Sequence, residues 1–143
     1  LAGLVPSPML APYAMTKHAV VGLSVSLRPE AAMHGIRVSA LCPGPTETPI
    51  LDSRGPDDLA PHDGVSARDL LTKAAGEIYP VEDLVADLLR GIDKNQALIV
   101  TPRRARLAWW VQRLVPSYLE KHAGRLVGWA KREAERVERA ASM

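Results

Sequence analysis

The sequence predicts an α/β fold organised around a parallel sheet. Segments with helical periodicity alternate with short β-branched runs in the order helix, strand, loop, helix, strand. The strand-like runs carry little charge, as strands covered on both faces require. Two strands make a poor sheet on their own. At 143 residues and 47% hydrophobic composition, the chain is long enough for one domain with a real core and short for two.

Leu1 to Pro12 carries prolines at positions 6, 8 and 12 and is expected as an extended loop. From Tyr13 to about His34, the spacing of Met15, Ala19, Val20, Leu23 and Leu27 suits a helix with a broad apolar surface, stopped by Gly35. Pro29 removes a backbone donor there, so the helix is expected to weaken near Leu27. Ile36 to Cys42 reads as a buried strand, ended by Pro43 and Gly44.

Residues 45 to 79 hold many Pro, Gly and Asp residues with weak periodicity, which predicts a long loop with a short helix around Ala67 to Ala75. Pro80 to Ile92 reads as a helix with the apolar stripe Val81, Leu84, Val85 and Leu88, and Ala97 to Val100 as a second strand. Arg103 to Val115 and Ser117 to Ala141 are helical in pattern, separated by Pro116. In the last helix Leu119, Ala123, Leu126, Ala130 and Val137 run near heptad spacing, but Glu133 interrupts the seam and Gly124 and Gly128 weaken it. A surface or subunit-contact helix is expected rather than a coiled coil.

The net charge of +2 hides an asymmetry. Residues 1 to 102 hold eight Lys/Arg against twelve Asp/Glu, a balance of −4, whereas residues 103 to 143 hold ten against four, a balance of +6. The single cysteine, Cys42, excludes an intrachain disulfide and suits a reducing compartment. No apolar run approaches the ~20 residues that span a bilayer, and Leu1 to Leu10 has no basic leader, so a cytoplasmic location is expected. His18, His34, His62 and His122 lack metal-ligand spacing, and no metal site is expected. The acids Asp52, Asp57, Asp58 and Asp63 read as a solvated loop.

Tyr13 and Lys17 stand four residues apart at a helix start, which places both side chains on one face, one turn apart. A phenol titrates near pH ~10 in water, and a neighbouring ammonium stabilises the phenolate, bringing it closer to use as a general acid/base. The bland alternative is an ordinary helix-start tyrosine beside a solvated lysine.

The stretch Tyr13-Ala14-Met15-Thr16-Lys17-His18-Ala19-Val20-Val21-Gly22-Leu23 resembles the active-site helix of the short-chain dehydrogenase/reductase family, and Leu27-Arg28-Pro29-Glu30 resembles that helix's end. Ile36-Arg37-Val38 and Cys42-Pro43-Gly44-Pro45-Thr46-Glu47-Thr48 resemble the family's next strand and its Pro-Gly loop, and Gly3 with Pro6 its loop ahead of the tyrosine. The resemblance implies that residues 1–102 form the C-terminal half of a Rossmann-like, doubly wound parallel sheet domain, with residues 103–143 as a basic helical extension.

It also implies an NAD(P)-dependent oxidoreductase acting on a small-molecule alcohol or carbonyl substrate, with NAD or NADP as cofactor. Tyr13 would handle the proton at the substrate oxygen. Lys17 would activate it and bind the nicotinamide ribose. Pro43, Gly44, Thr46 and Thr48 would hold the nicotinamide carboxamide, although simple turn chemistry also accounts for the two threonines. A homo-oligomer is expected, again by resemblance.

The family's Gly-x-x-x-Gly-x-Gly loop, its Asn-Ala-Gly strand and its active-site asparagine are absent from these residues. By the family's spacing the catalytic serine falls immediately ahead of Leu1, and Ser7 cannot replace it. The resemblance therefore implies a segment that is inactive by itself, or alternatively a non-catalytic remnant acting as a binding or assembly partner.

Arg103 to Val115 lies outside the family pattern. As a helix it puts Leu107, Trp110, Val111 and Leu114 on one face, with Trp109 between Arg106 and Arg113 on another. The favoured reading is packing on its own domain or a partner subunit. The second is contact with a membrane surface, where indoles sit at headgroup depth and arginines meet anionic lipid. No motif supports nucleic-acid binding, and none is expected.

Overall fold

In the computed structural model, which describes residues 1–52 and 66–141, strands β1 (Ala40–Pro43) and β2 (Leu98–Thr101) run side by side in parallel. Ala40 stands opposite Leu98, and Pro43 opposite Thr101. A parallel pair needs a long crossover. Before β1 comes α1 (Ala11–Ala32), and between the strands come a short 3-10 turn (Pro49–Leu51), α2 (Ala67–Ala75) and α3 (Val81–Asp93). Helices α4 (Arg103–Leu114) and α5 (Pro116–Ala141) follow β2. The fold class is α/β. Asp57, Asp58, His62 and Asp63 lie outside the described residues.

Helix α1 continues through Pro29 to Ala32 instead of weakening at Leu27. Proline costs one ladder bond, and flanking turns carry the helix across it. Gly35 then adopts a left-handed φ of 71°, which turns the chain so that the Ile36 amide donates back to the Ala31 carbonyl at 3.0 Å.

The first strand is shorter than its apolar run. Pairing begins only at Ala40, whose amide donates to the Ala97 carbonyl at 2.9 Å, while Ile36 is 58% exposed. The residues before it are held by side chains: Ser39 Oγ donates to the Gln96 carbonyl at 2.7 Å, and Arg28 of α1 donates to the Val38 carbonyl and to Asn95 Oδ1, the latter at 2.7 Å. Arg28 thus ties α1 to the β1 entrance and to the α3–β2 turn, where Asn95 takes a positive φ of 51°.

Ala40, Cys42, Val100 and Ala105 form the buried centre, and Leu1, Leu4, Val21, Leu98 and Trp109 pack against it. Helix α3 approaches β2 closely at Gly91, where a Cβ would fall 2.6 Å from carbons of the Ile99 side chain. Along α5, Leu126, Ala130 and Ala134 are buried at one-turn intervals, and the helix packs along α4. The face of α4 turned inward is not the predicted one: Ala105 and Trp109 pack on the sheet, while Leu107, Trp110 and Leu114 are exposed. Small Ala105 lets the helix approach β2, and that rotation brings Trp109 in behind it.

Candidate active site

Tyr13 and Lys17 occupy the first turns of α1. Pro12 stands in the opening turn, where its missing N–H has no helical partner to lose. Tyr13 is 50% exposed, and Lys17 Nζ lies over its ring, 5.1 Å from the centroid. Neighbouring polar groups are satisfied locally: Thr16 Oγ1 donates to the Tyr13 carbonyl at 2.7 Å, and His18 Nδ1 to the Ala14 carbonyl at 2.9 Å.

The opening loop joins this helix to the end of β1. The Leu1 nitrogen donates to the Pro43 carbonyl. Two residues later, Gly3 lies so close to α1 that a Cβ there would sit 2.7 Å from the Lys17 carbonyl oxygen and 2.8 Å from Val21 Cγ2. Three residues of chain therefore connect the turn bearing Lys17 with the Pro43 end of the strand.

Beyond Pro43 the backbone is tightly seated. The Gly44 amide donates to the Thr101 carbonyl at 2.7 Å, and a Cβ at Gly44 would meet Pro102 Cδ at 3.1 Å. Thr46 then bridges to Tyr79 in parallel register: the Tyr79 amide donates to the Pro45 carbonyl at 2.8 Å, and the Glu47 amide to the Tyr79 carbonyl at 2.9 Å. In a parallel bridge the peptide groups alternate in direction, so the N–H and C=O of Thr46 itself point to the side away from Tyr79. Thr46 Oγ1 donates to the Gly44 carbonyl at 3.1 Å, and Thr48 Oγ1 to the Thr46 carbonyl at 3.4 Å. Both hydroxyls make short-range turn bonds and keep acceptor capacity.

Two polar clusters brace this segment from α2 and α3. Arg68 of α2 grips two carboxylates at once, Glu47 at 2.7 and 2.9 Å and Asp52 at 2.7 and 2.8 Å. Its hydrogen bonds hold the Glu47 and Asp52 carboxyls below the usual carboxylate range, and they hold the Arg68 guanidinium protonated still more firmly. Glu47 and Asp52 also line an open groove with Thr48 and Pro49. In the second cluster Asp87 accepts from Thr101 Oγ1, from Arg90 and from Tyr79 Oη, the last at 3.1 Å. The Thr101 hydroxyl is the chief cause of a lowered Asp87 pKa, with Arg90 and Tyr79 adding to it.

No sequence motif marks either cluster. Arg68 pairs across 16 and 21 positions, so no local spacing rule signals it. The structure brings Tyr13 and Lys17 together, and places Pro43 at the end of β1 with Gly44, Thr46 and Thr48 in the segment that follows it. Among the described residues no group of three or more His, Cys, Asp or Glu side chains is placed to hold a metal ion, and no helix is long and apolar enough to cross a membrane.

The short chain dehydrogenase family matches residues 1–59. The chain is 42% identical over 81 residues to the uncharacterized oxidoreductase YhxD of Bacillus subtilis, a match covering 56% of this chain and 26% of that protein. It is 47% identical over 49 residues to the A-factor type gamma-butyrolactone 1'-reductase (1S-forming) of Streptomyces virginiae, covering 34% and 19%. It is 50% identical over 50 residues to the oxidoreductase UcpA of Escherichia coli (strain K12), covering 35% and 19%. The matched stretches thus span about a quarter or less of these relatives. No solved structure matches the chain.

Proposed function

From the match of residues 1–59 to the short chain dehydrogenase family, we propose that the protein carrying this chain is an NAD(P)-dependent oxidoreductase of that family that interconverts an alcohol and a carbonyl compound. The observation that carries the reading is the placement of Lys17 Nζ over the Tyr13 ring, on a helix against which the opening loop is seated at Gly3. Relatives named as oxidoreductases and as a reductase match between about a third and just over half of the chain.

Tyr13 Oη gives a proton to the substrate oxygen when a carbonyl is reduced and takes one when an alcohol is oxidised. Lys17, with its Nζ over the Tyr13 ring, would assist that proton transfer. A bound nicotinamide dinucleotide supplies the hydride or accepts it. The residues present fit such a group: Lys17 is exposed, and the peptide of Thr46 turns its N–H and C=O away from Tyr79, offering one donor and one acceptor to a carboxamide. Lys17 would hold the ribose. Pro43 and Gly44 would set the approach, and Thr46 and Thr48 would hold the carboxamide.

The 143 residues contain no glycine-rich loop to receive a pyrophosphate, so by themselves they bind the dinucleotide weakly and do not turn over. Assay of the protein carrying this chain for NADH or NADPH oxidation with a panel of ketones, wild type against Tyr13→Phe, tests the reading. Turnover that survives the substitution overturns it.

A further inference from the structure

Helix α4 divides its apolar side chains between two faces. Ala105 and Trp109 turn inward onto the sheet. Leu107 (64% exposed), Trp110 (49%) and Leu114 (73%) turn outward at spacings of three and four residues, which aligns them along one side of the helix. The ridge runs on into the junction with α5, where Val115 and Tyr118 are exposed as well.

We propose that this outward ridge docks α4 flat on an anionic membrane surface. The charge of the helix selects the occupant. Helix α4 contains four arginines and no acidic residue, and the chain from Arg103 onward carries a balance of +6. By helical spacing Arg106 and Arg113 flank the ridge on one side, where Arg106 also donates to the Val100 carbonyl at 3.3 Å and Arg113 stands over the Trp109 ring, and exposed Arg103 stands at the N-terminal end of the ridge. An apolar strip with a tryptophan, bordered by arginines of which Arg104 is paired with Glu77, matches the two layers of a lipid interface: acyl chain and carbonyl below, phosphate above. A second copy of the chain fits poorly, because a two-fold contact through this face would set arginines against arginines. No described helix is long and apolar enough to cross a membrane, so α4 lies on the surface. The inward packing of Trp109 makes the proposal physically consistent: α4 is anchored to its domain by one face while the other remains available.

Vesicle sedimentation with the protein carrying this chain tests it, using phosphatidylcholine alone and phosphatidylcholine mixed with phosphatidylglycerol. Binding to the anionic vesicles, weakened by added salt, and much weaker binding to the neutral ones are expected. Arg103→Gln and Arg113→Gln should each weaken binding about fivefold. Leu107→Ser with Leu114→Ser should weaken it roughly tenfold or more while melting like wild type, because both side chains already face water. Tryptophan emission should shift to the blue on binding, and Trp110→Phe should bind nearly as well while losing most of the shift.

Absence of vesicle binding, equal binding to both compositions, or full binding by the double serine variant overturns the proposal. So does a concentration-dependent dimer that the same variant abolishes in the absence of vesicle binding, which would assign the ridge to a second copy. If the double variant fails to fold, the lipid-charge and salt response of the wild type decides alone.

Discussion

Lys17 Nζ stands over the ring of Tyr13, 5.1 Å from its centroid and one helical turn along α1. This is the contact that a four-residue spacing allows, and it places a cation against an aromatic face at cation–π range. Beside it lies Gly3, which brings the opening loop to the Lys17 carbonyl.

Gly3→Ala should therefore destabilise the fold. The added methyl would meet the Lys17 carbonyl oxygen at 2.7 Å, and that atom is helix backbone that cannot swing aside. A loss of about 1–3 kcal/mol is expected in denaturant titration, as for overpacking elsewhere. An unchanged midpoint would show that the loop does not seat on α1 in solution.

Gly91→Ala poses the same question at the sheet, with a different remedy. Its methyl would fall 2.6 Å from Ile99 side-chain carbons, so about 1–3 kcal/mol should again be lost. Because the neighbour is a side chain, Ile99→Ala should make room, and the double variant should lose less than the sum of the two single variants. Strict additivity in the double-mutant cycle would rule out the contact.

The Asp87 cluster predicts a pH dependence of stability. Hydrogen bonds from Thr101, Arg90 and Tyr79 hold the folded-state pKa of Asp87 below the ordinary 3.8. A carboxyl with a depressed folded value contributes stability that is present above its unfolded pKa and is lost as pH falls through the folded value. Melting temperature followed from neutral pH down into the acid range should show this loss begin near pH ~4. Asp87→Asn should lower the neutral plateau and flatten that part of the curve, and Thr101→Val should do so partially. A parallel acid limb in Asp87→Asn would contradict the assignment.

The parts of this architecture that follow local rules were legible in the sequence. The α2 span, the Pro-led start of α3, and the break between α4 and α5, which falls at Val115 just ahead of Pro116, follow from capping and proline chemistry that acts within a few residues. The pairing of Tyr13 with Lys17 is equally local. What the spacing misjudged depends on partners distant in the chain. Ile36 is apolar and β-branched, yet it stays exposed because pairing with the Leu98–Thr101 strand begins only at Ala40. Periodicity on α4 marks Leu107, Trp110 and Leu114 as an apolar face, but Ala105 on the other side is what fits against the β1–β2 pair. The Arg68 clamp on Glu47 and Asp52 has no local pattern at all.

Residues 1–143 alone should bind nicotinamide nucleotides only weakly, since no glycine-rich loop is among them. Titration with NADH or NADPH, followed by nucleotide fluorescence, checks this. Saturation at micromolar nucleotide would show that the residues after β1 suffice for binding and would remove the argument from the missing loop.

Steady-state kinetics combined with nucleotide titration separates the proposed roles of Tyr13 and Lys17 in the protein carrying this chain. Tyr13→Phe removes a proton and almost no surface, so kcat should fall by roughly 10²–10⁴ while nucleotide affinity stays near that of wild type. Lys17→Ala should lower both kcat and nucleotide affinity if, as proposed, the ammonium serves the hydroxyl and the ribose together. Equal and mild losses in the two variants, with nucleotide affinity untouched in both, would contradict the account.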